Sequence, residues 1–501
     1  MHPDRRRKVR RPQRDTWLAL ACATATLLSC ASWALVTPPF EAPDEPVHFD
    51  YVQSLAETGR PPATVPNGRL PRSTATKEAL WAVRFSSVHG NPRGKPPWTE
   101  ADARSVDQTL GRGVPEDDGG GVSDTSEYPA LYYSLAAVPY LAADALGAGV
   151  IGQLTAVRLL SCLLTALTAF FIFFFIRELL PATPLAAPTG ALAVGLLPYF
   201  GFLGSSVNND VLLATVSAAL FWLLARSFRR GLGAGSAAAI GLVLAAGWIT
   251  KPTFLGIVPG ALLAIIVLLV RAHRAGDQRA LRSLAALVVS GGALFALYFA
   301  VNRGLWTRTS QQPSPTRFTA SDAPQAKQYS LDGLLSYIWQ FWLPRPSFLT
   351  DQINGPYQLW ETIFKGFIGR FGWLEYQFPS WVYSAVLGCW LGLLALIGRA
   401  LVVSRSAFRG RALELLCYGA MLAGLIALIG IVGYRIRLDQ PFPFEQARYL
   451  FPVLALFGGM VGLAVRGAGR RAGPYVAVAI VIATGALDIG GLLLTLGRYY
   501  S

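Results

Sequence analysis

The 501-residue sequence predicts an all-α integral membrane protein with about eleven transmembrane helices, in a range of about ten to thirteen. Hydrophobic residues make up 53% of the chain and charged residues only 15%, with a mean hydropathy of +0.41. The apolar residues form runs of membrane-spanning length, for example 159–176 and 285–301. The arginines between those runs are grouped in short clusters, which is typical of cytoplasmic loops.

The amino terminus reads RRRKVRRPQR and precedes an apolar run at 17–36. A signal peptide begins in a similar way, but its apolar part has about 7–15 residues and ends at a cleavage site with small residues. The run at 17–36 is longer and ends in TPPF. We therefore expect a basic cytoplasmic tail at 1–16, followed by a first span that is retained.

The charge distribution sets the number and direction of the later spans. The apolar segment 130–146 is short and contains Pro139 and Asp144. If it crossed the bilayer, every later arginine cluster would lie outside, against the positive-inside rule. We therefore place it along the outer interface, with the amino terminus in the cytoplasm and the carboxyl terminus outside. The expected spans are 17–36, 154–177, 185–204, 209–227, 235–250, 253–270, 282–301, 381–399, 412–433, 448–465 and 473–495.

Two long polar loops then lie outside the bacterial plasma membrane, at 37–153 and 302–380. The first carries the interfacial segment 130–146. The second carries a linker, TSQQPSPTRF, and then SLDGLLSYIWQFWLP, whose apolar residues recur at helical spacing, as in an interfacial amphipathic helix. The predicted organisation is a tail at 1–16, a transmembrane module at 17–301 that includes the first loop, the second loop, and carboxyl-terminal helices at 381–501.

Composition and motifs exclude several classes of function. The formal net charge is +15, but the basic residues are topology signals rather than a continuous stripe, so no nucleic-acid partner is expected. The five cysteines all lie inside apolar runs without a close pair, which indicates neither a disulfide framework nor a zinc site. Phosphate-loop, dinucleotide and metal-ligand spacings do not occur, so no cofactor and no metal site are predicted, and dependence on a divalent metal stays open.

An acidic motif, PPFEAPDEPVHF, follows the first span directly and contains Asp44, Glu45 and His48. A carboxylate near apolar groups at a membrane surface has a raised proton affinity and suits a general base. We predict Asp44 or Glu45 in that role, with His48 binding substrate. The alternative is that one of the carboxylates only caps the helix that follows it.

Two further polar motifs occur in short outer loops. SSVNNDVLL contains Asn208, Asn209 and Asp210, and the aspartate could orient a substrate hydroxyl or cap the next span. ITKPT contains Lys251 at the head of a helix, which suits a phosphate in the outer leaflet. Its alternative is ordinary snorkelling to lipid phosphates.

The segment RIRLDQPFPFEQARYLFP precedes the tenth span and places three arginines on the outer face, against the positive-inside rule. Arg448 is accompanied there by Gln446 and Tyr449. An anionic ligand would compensate these charges, and a structural salt bridge to Asp439 or Glu445 is the alternative. Tyr128 and Tyr132 of the motif YPALYY could line a sugar- or lipid-binding surface, or belong to an interfacial aromatic belt.

In this order, the motifs PPFEAPDEPVHF, YPALYY, SSVNNDVL, ITKPT, FGW and EQARYLFP resemble a bacterial membrane family known as domain of unknown function 2142. They extend from residue 38 to residue 452 and so cover most of the chain. That family in turn resembles the glycosyltransferase C (GT-C) superfamily of many-span enzymes. The resemblance implies a catalytic or acceptor-activating carboxylate at Asp44 or Glu45 and a second acidic residue at Asp210. It also implies that Lys251 and Arg448 hold a lipid phosphate.

The sequence therefore favours a membrane glycosyltransferase that uses a polyprenyl-phosphate-linked sugar. The acceptor would be a cell-envelope glycan, lipid or protein, and membrane lipids would surround the chain. A transporter or flippase for a lipid-linked precursor is the first alternative, although it needs polar groups along a path through the spans. A non-catalytic envelope-assembly protein is the second alternative.

Overall fold

The structure is a computed structural model that describes residues 4–62, 100–101, 104, 108, 128–274, 279–306, 329–349, 358–439 and 445–500. Within these ranges the chain is almost entirely helical. The predicted linker TSQQPSPTRF lies outside them. The main helices are α1 (Asp4–Val36), α2 (Glu45–Thr58), α3 (Leu131–Ala145), α4 (Val150–Leu179), α5 (Ala186–Gly195), α6 (Pro198–Gly204), α7 (Asp210–Arg230), α8 (Ala234–Trp248), α9 (Val258–Arg274), α10 (Arg279–Ala300), α11 (Leu331–Gln340), α12 (Leu359–Gly369), α13 (Ser380–Val403), α14 (Arg405–Arg409), α15 (Ala412–Asp439) and α16 (Leu454–Tyr499).

Short elements complete the described chain. Two 3₁₀ helices, Pro252–Gly256 and Ala447–Val453, precede α9 and α16, and a π-helical turn, Val301–Leu305, follows α10. The strands β1 (Arg370–Phe371) and β2 (Tyr376–Gln377) form a small antiparallel hairpin between α12 and α13. The described part of the chain is therefore an all-α membrane protein, as the sequence predicts.

Seven helices in the described ranges are long and apolar enough to cross a membrane, or up to eight if the bent pair α5–α6 counts as one span. All eleven predicted spans coincide with helical segments. However, α8 has only 15 residues and α9 only 17, which is short for a hydrocarbon core of about 30 Å. The number of spans, eleven, therefore stays a prediction.

The third predicted span, 185–204, is not one straight helix. It is divided into α5 and α6, which meet at an angle of 60°. Pro198 at the start of α6 has no backbone N–H to continue the ladder of α5, so the helix breaks before it. The bend directs the chain after α6 towards the loop that contains Asn208 and Asn209.

The last element, α16, contains a reversal of the chain. Forty-six residues of straight helix would be about 69 Å long, more than twice the thickness of a bilayer core. Gly469 has φ 83° and interrupts the helix. A Cβ atom on Gly473 would lie 3.1 Å from the carbonyl oxygen of Val465, eight residues earlier, whereas eight residues of straight helix span about 12 Å. The chain therefore folds back near Gly469, in agreement with the two spans predicted there.

The long helices differ in how much of their surface the protein covers. α7 is buried along most of its length, whereas most side chains of α10 are exposed or only partly buried. Val289 of α10 and Trp381 of α13 are largely exposed. An exposed apolar helix surface needs a hydrocarbon environment, so α10 and α13 form the lipid-facing periphery and α7 the centre.

The segment after the first outer motif packs as a small aromatic layer. α3 lies against α2, with the rings of Tyr51 and Tyr133 stacked at 3.7 Å and those of Phe49 and Tyr140 at 5.8 Å. With 15 residues, α3 is about 22 Å long and too short to cross a bilayer core. Its length is therefore compatible with the interfacial position predicted for 130–146.

The arginine clusters predicted to share one side of the membrane meet at one end of the helix bundle. Arg229 and Arg230, at the end of α7, both pair with Glu178, at the end of α4. Arg411 donates to the carbonyl oxygen of Leu179, from the same end of α4. α7 has 21 residues, so its first residue lies about 30 Å from this basic end. The opposite end carries the polar motifs.

Candidate functional site

The turn between α1 and α2 holds its backbone in a strained conformation. Phe40 has φ 67° and Asp44 has φ 61°, in the left-handed region that favours glycine. Each such residue costs of order 1–3 kcal/mol and persists only where the surroundings hold it. Asp44 immediately precedes α2, but its side chain makes no capping hydrogen bond. It pairs instead with the guanidinium group of Arg448, so the capping alternative does not describe its side chain.

The neighbouring carboxylate, Glu45, is completely enclosed and fully occupied. Its two oxygens accept from Arg158 at 2.8 and 2.5 Å, and also from the backbone N–H groups of Val207 at 3.1 Å and Phe40 at 3.0 Å. Arg158 in turn donates to backbone carbonyl oxygens at the end of α1 and in the turn. This geometry assigns Glu45 a structural part, namely attaching the turn to α4. Of the two adjacent carboxylates, only Asp44 is accessible from outside the protein.

Residues from four distant motifs form one charged cluster, which we call the central cluster: Asp44, Asp210, Lys251 and Arg448. Arg448 contacts Asp44, and its Nε lies 3.6 Å from Oδ2 of Asp210. Lys251 Nζ lies 2.7 Å from Oδ1 of the same Asp210. Asp210 is therefore the bridge between the two cations. With two acids and two bases, the cluster has no formal net charge.

The four side chains of the central cluster differ in exposure. Asp210 is 2% exposed, Arg448 6% and Lys251 7%, whereas Asp44 is 32% exposed. Burial by itself would raise the pKa of Asp44, but the positive charges of Arg448 and Lys251 outweigh that effect and hold the pKa below its usual value. The raised proton affinity expected from the sequence is therefore wrong for Asp44, because the sequence does not show that Arg448 lies beside it. Asp44 is thus an ionised carboxylate that an incoming molecule can reach.

His48 lies beside the cluster in an aromatic setting. Its Nδ1 is 2.8 Å from the hydroxyl group of Tyr133, and its ring stacks on those of Tyr128 and Tyr133 at 5.9 Å. Lys251 Nζ lies 5.4 Å from the centre of the Tyr128 ring. Burial, reinforced by the positive charges of Lys251 and Arg448, lowers the pKa of His48 to about 3. His48 is therefore a neutral hydrogen-bonding group at physiological pH.

Some of the remaining predicted residues form hydrogen bonds within the protein, and others have buried polar atoms without a partner. Tyr132 is buried, and its hydroxyl group lies 3.0 Å from Ser161 Oγ, so it belongs to the packing between α3 and α4. Asn208 stabilises the start of α7, because its side-chain oxygen accepts from the backbone N–H of Asp210 at 2.9 Å. Both polar atoms of the Asn209 amide are buried without a hydrogen-bond partner in the described part of the chain.

Several buried polar atoms from the same motifs also lack a hydrogen-bond partner among the residues that the structure describes. They include Oε1 of Gln446 and the Nε and Nη1 atoms of Arg448. The hydroxyl group of Tyr199 is a further case. Buried polar groups in native proteins nearly always have partners, so these atoms indicate a place for a polar ligand or for water.

Tyr199 is absent from the residues predicted to form the site. It is fully buried in α6, and Arg448, Asp210 and Asp44 are close enough to act on it electrostatically. It lies within a predicted apolar span, where a tyrosine has no distinguishing local signal. Pro198, next to it, could have indicated the bend that brings it to the cluster.

The three outer arginines before α16 have different partners. Arg437 Nε lies 3.0 Å from Glu445, whose carboxylate also accepts from the Tyr337 hydroxyl group at 2.9 Å. Arg435 lies over the ring of Tyr329. The structural alternative, a salt bridge to Glu445, therefore applies to Arg437, while Arg448 joins the central cluster. The side chain of Asp439 lies outside the described residues.

An apolar crevice is lined in part by Gln446 and Tyr449, which flank Arg448 closely in sequence. Tyr449 is also close enough to Arg448, Asp44 and Asp210 for their charges to act on it. Ile338 and Trp342 continue from this crevice into an open groove of about 460 Å³. Leu335, Trp339, Leu343, Phe348 and Leu349 line that groove together with Ile338 and Trp342. Within the described ranges, Tyr449 thus lies between the charged site and an apolar surface.

Among the residues described, no group of three or more His, Cys, Asp or Glu side chains is placed to hold a metal ion. The expectation of no cofactor and no metal site stays a prediction. What the arrangement can do chemically is bind an anion with two cations, accept a proton at Asp44, and orient polar groups through Tyr199 and Asn209.

Comparison with known proteins gives one family and a partial structural likeness. A search of curated proteins finds no match. The chain is similar to the crystal structure of ArnT from Cupriavidus metallidurans bound to undecaprenyl phosphate, with 14% identity and a TM-score of 0.43, over 94% of this chain and 73% of that chain. It is also similar to ArnT from the same organism in the apo state, with 15% identity and a TM-score of 0.38, over 74% of this chain and 64% of that chain. Scores of this size carry no information on substrate or mechanism.

The family match is more extensive. The family model described as "Predicted membrane protein (DUF2142)" matches residues 27–457. That range includes Asp44, Asp210, Lys251 and Arg448, together with the motifs that hold them. The chain therefore belongs to the DUF2142 family of membrane proteins.

Proposed function

We propose that this protein is a glycosyltransferase that moves a sugar from a polyprenyl-phosphate donor to a cell-envelope acceptor at the outer face of the bacterial plasma membrane. The observation that carries the proposal is the central cluster: two cations, two carboxylates and several unpartnered polar atoms, with Tyr449 between it and an apolar crevice. A lipid phosphate linked to a sugar has the matching parts, namely an anion, an apolar chain and hydroxyl groups.

Lys251 and Arg448 suit the phosphate of the donor. Both are nearly buried, so their charges act in a low-dielectric setting where a phosphate is held strongly. The Nη1 atom of Arg448 has no hydrogen-bond partner in the described chain and is available to a phosphate oxygen, whereas Nε faces Asp210. As the bond between sugar and phosphate breaks, the same cations stabilise the negative charge that stays on the phosphate.

The open groove, of about 460 Å³, suits the polyprenyl chain. The crevice that separates it from Gln446 and Tyr449 is lined mainly by isoleucine, phenylalanine and tryptophan side chains, and its volume of about 10 Å³ requires these side chains to move apart for a chain to enter. Trp339 and Trp342 leave apolar surface exposed along the groove beyond it. An isoprenoid chain that covers this surface gains van der Waals contacts rather than hydrophobic free energy, because the lipid it leaves is equally apolar.

Asp44 suits the general base. It would accept the proton of the acceptor hydroxyl group while that oxygen attacks the anomeric carbon of the donor sugar. The bond from the anomeric carbon to the phosphate oxygen breaks, and its electron pair leaves with the polyprenyl phosphate. Direct displacement of this kind inverts the anomeric configuration. A positioned base contributes typically 10²–10⁴-fold to such a reaction.

Donor binding would also activate the base. In the structure Arg448 holds Asp44 and keeps the pKa of that carboxyl low. A phosphate that attracts Arg448 weakens this contact, and the proton affinity of Asp44 rises as a consequence. The base is then more effective when the donor is present than when it is absent.

The distribution of ionisable groups supports surface chemistry over transport. Asp488 lies within a span, but Trp33 donates to it at 2.8 Å and Ser29 at 2.5 Å, so it has a structural role. Arg158, near the start of α4, is paired with Glu45. Among the described residues, the central cluster therefore lies at one end of the bundle rather than along a path through it.

The test uses the full chain in nanodiscs with radiolabelled polyprenyl-phosphate sugars. Release of polyprenyl phosphate is compared between the wild type, Asp44→Asn and a matched control, Asp332→Asn, at an exposed position at the start of α11. Thermal unfolding checks that each variant is folded. We expect release by the wild type and the control, and a loss of at least about a hundredfold in Asp44→Asn.

Other outcomes would redirect the proposal. Equal release by the wild type and Asp44→Asn would keep a transferase but remove Asp44 as its base. Tight binding of the lipid without release, with any donor, would contradict the transferase and favour the flippase or the assembly protein.

A further inference from the structure

The end of the last helix reaches the turn that carries Asp44. The hydroxyl group of Tyr499 donates to Oε2 of Glu41 at 3.3 Å. Glu41 is 4% exposed and Tyr499 2% exposed, so this contact is enclosed by the protein. Glu41 lies three residues before Asp44 in the same turn, and the predicted site does not include it.

A second pair from the same region encloses this contact. Arg498 Nη2 lies 3.5 Å from Oε2 of Glu375, in the turn of the β1–β2 hairpin. The guanidinium group of Arg498 lies over the rings of Tyr376 and Tyr499, at 5.7 and 6.0 Å from their centres. The hydroxyl group of Tyr376 lies 3.0 Å from Oγ1 of Thr495. The hairpin and the last helix are thereby joined around Glu41.

We propose that Glu41 is a positioning residue for Asp44, held by the carboxyl-terminal Tyr499 and Arg498 together with Glu375. The inference rests on the proposed function in that Asp44 is taken as the base. It adds that residues beyond the matched family range, 27–457, determine the geometry of the site.

The strained backbone explains why the turn needs two attachments. Glu45 fixes the turn to α4 through Arg158 on one side. Glu41 fixes it to the last helix on the other side. Both residues of the turn with positive φ lie next to these carboxylates in sequence. Asp44 lies between Glu41 and Glu45, and Phe40 directly precedes Glu41. A strained turn held at one side only can relax, and a displacement of about 1 Å at a reacting group can cost 10²-fold in rate.

The protonation of Glu41 gives this arrangement a measurable signature. Burial, reinforced by the negative charges of Glu375 and Glu45, raises the pKa of Glu41 to about 8, although Tyr499 and Arg498 oppose the rise. These groups, with Tyr376 of the hairpin, are the titratable and charged groups that act on Glu41. Glu41 thus carries a proton at neutral pH. Loss of that proton leaves a buried negative charge beside Glu375. Because this cost exceeds what Tyr499 and Arg498 return, the folded turn is less stable with Glu41 ionised.

The first test measures transfer as a function of pH for the wild type, Glu41→Gln, Glu41→Ala and Tyr499→Phe. Tyr500→Phe is the matched control, because Tyr500 is adjacent but 43% exposed. Glutamine resembles the protonated carboxyl group, so Glu41→Gln should keep activity within about twofold at pH 7 and lose the decline that the wild type shows above pH 8. Glu41→Ala should lower kcat by about tenfold to a hundredfold with little change in KM. A high-pH decline that persists unchanged in Glu41→Gln, or full activity in Glu41→Ala, would overturn the inference.

The second test does not depend on catalysis. Hydrogen–deuterium exchange of the segment 37–50 is measured between pH 6 and pH 9, after correction for the intrinsic rate. Protection should fall between pH 6 and about pH 8 in the wild type and the Tyr500→Phe control and level off above that, but stay constant in Glu41→Gln. If this result is found while no donor supports transfer, the proposed function fails and the attachment of the turn stands. If transfer is found and protection is the same in all variants, the positioning inference fails alone.

Discussion

Basic side chains lie at both ends of the helix bundle, but they differ in exposure and in the number of carboxylates that they contact. At the basic end, the side chains of Arg229 and Arg230 are 43% and 54% exposed and share one partner, Glu178. At the opposite end, Lys251 and Arg448 are 7% and 6% exposed and contact two carboxylates. The basic end matches the charge pattern that the positive-inside rule assigns to the cytoplasm.

This difference separates charges that orient the protein from charges that can perform chemistry. Ion pairs open to water contribute about 0–1 kcal/mol, since water and salt screen them. Enclosed pairs pay a desolvation cost that their mutual attraction offsets only with good geometry. Enclosed charges with unpartnered atoms, as on Arg448, therefore suggest a ligand, whereas half-exposed arginines at helix ends need none.

The largest effect on stability should come from Arg158→Ala, at the end of the bundle that carries the central cluster. It leaves the buried Glu45 carboxylate without its counter-ion and removes the donor to three backbone carbonyl groups. Breaking a buried pair in this way costs about 3–5 kcal/mol. We expect a lower yield of folded protein and a clearly lower thermal midpoint in nanodiscs. A midpoint equal to that of the wild type would show that this pair does not secure the turn.

Arg448→Ala should affect substrate more than folding. Loss of the guanidinium group removes charge-assisted bonds to the donor phosphate, and we expect affinity for polyprenyl phosphate to fall by about tenfold to a hundredfold. The measurement is lipid binding by native mass spectrometry or by competition with a labelled lipid. Arg435→Ala is the control, because Arg435 contacts the ring of Tyr329 rather than the central cluster. Equal losses in both variants would indicate a general surface-charge effect.

The pH dependence of stability tests Glu41. Its pKa is about 8 in the folded protein and about 4.5 in its usual state, so between these values the folded state keeps a proton that the unfolded state has released. The free energy of unfolding therefore decreases as pH rises from about 4.5 to 8. Glu41→Gln should have a flatter dependence and a higher thermal midpoint than the wild type at pH 8. The same slope in both proteins would contradict a raised pKa at Glu41.

The groove should influence the donor chain rather than the chemistry. Trp342→Ala removes apolar surface from both the crevice and the open groove, so we expect KM to rise about threefold to tenfold for long-chain donors. Short-chain donors, which do not reach Trp342, should be unaffected. Trp381→Ala, on the exposed face of α13, is the control. A change in kcat with short donors would place Trp342 in the reacting site.

The smallest effect should come from Arg229→Ala at the basic end. Because Glu178 keeps Arg230 as a partner, we expect a change in unfolding free energy of less than about 1 kcal/mol and unchanged transfer. Thermal unfolding and the transfer assay measure both. A large loss of transfer would remove the contrast between the two ends.

Much of this protein follows from local sequence. Hydropathy places the helical segments, because every span must bury its own backbone hydrogen bonds in a helix whatever its neighbours are. The break at Pro198 is the main departure, and there a single residue changes the course of a predicted span. The motifs of the central cluster are also visible locally, since charged residues beside apolar runs are uncommon.

Only the tertiary structure decides which of these charged residues meet. Asp44 and Glu45 are adjacent and chemically alike, yet one faces Arg448 and the other is enclosed by Arg158. The sequence by itself determined the all-α membrane fold and the polar motifs, because hydropathy and charge are properties of short segments. The pairing of Asp44 with Arg448 and of Glu41 with Tyr499 depends on helix packing across more than 400 residues of chain, which no local pattern encodes.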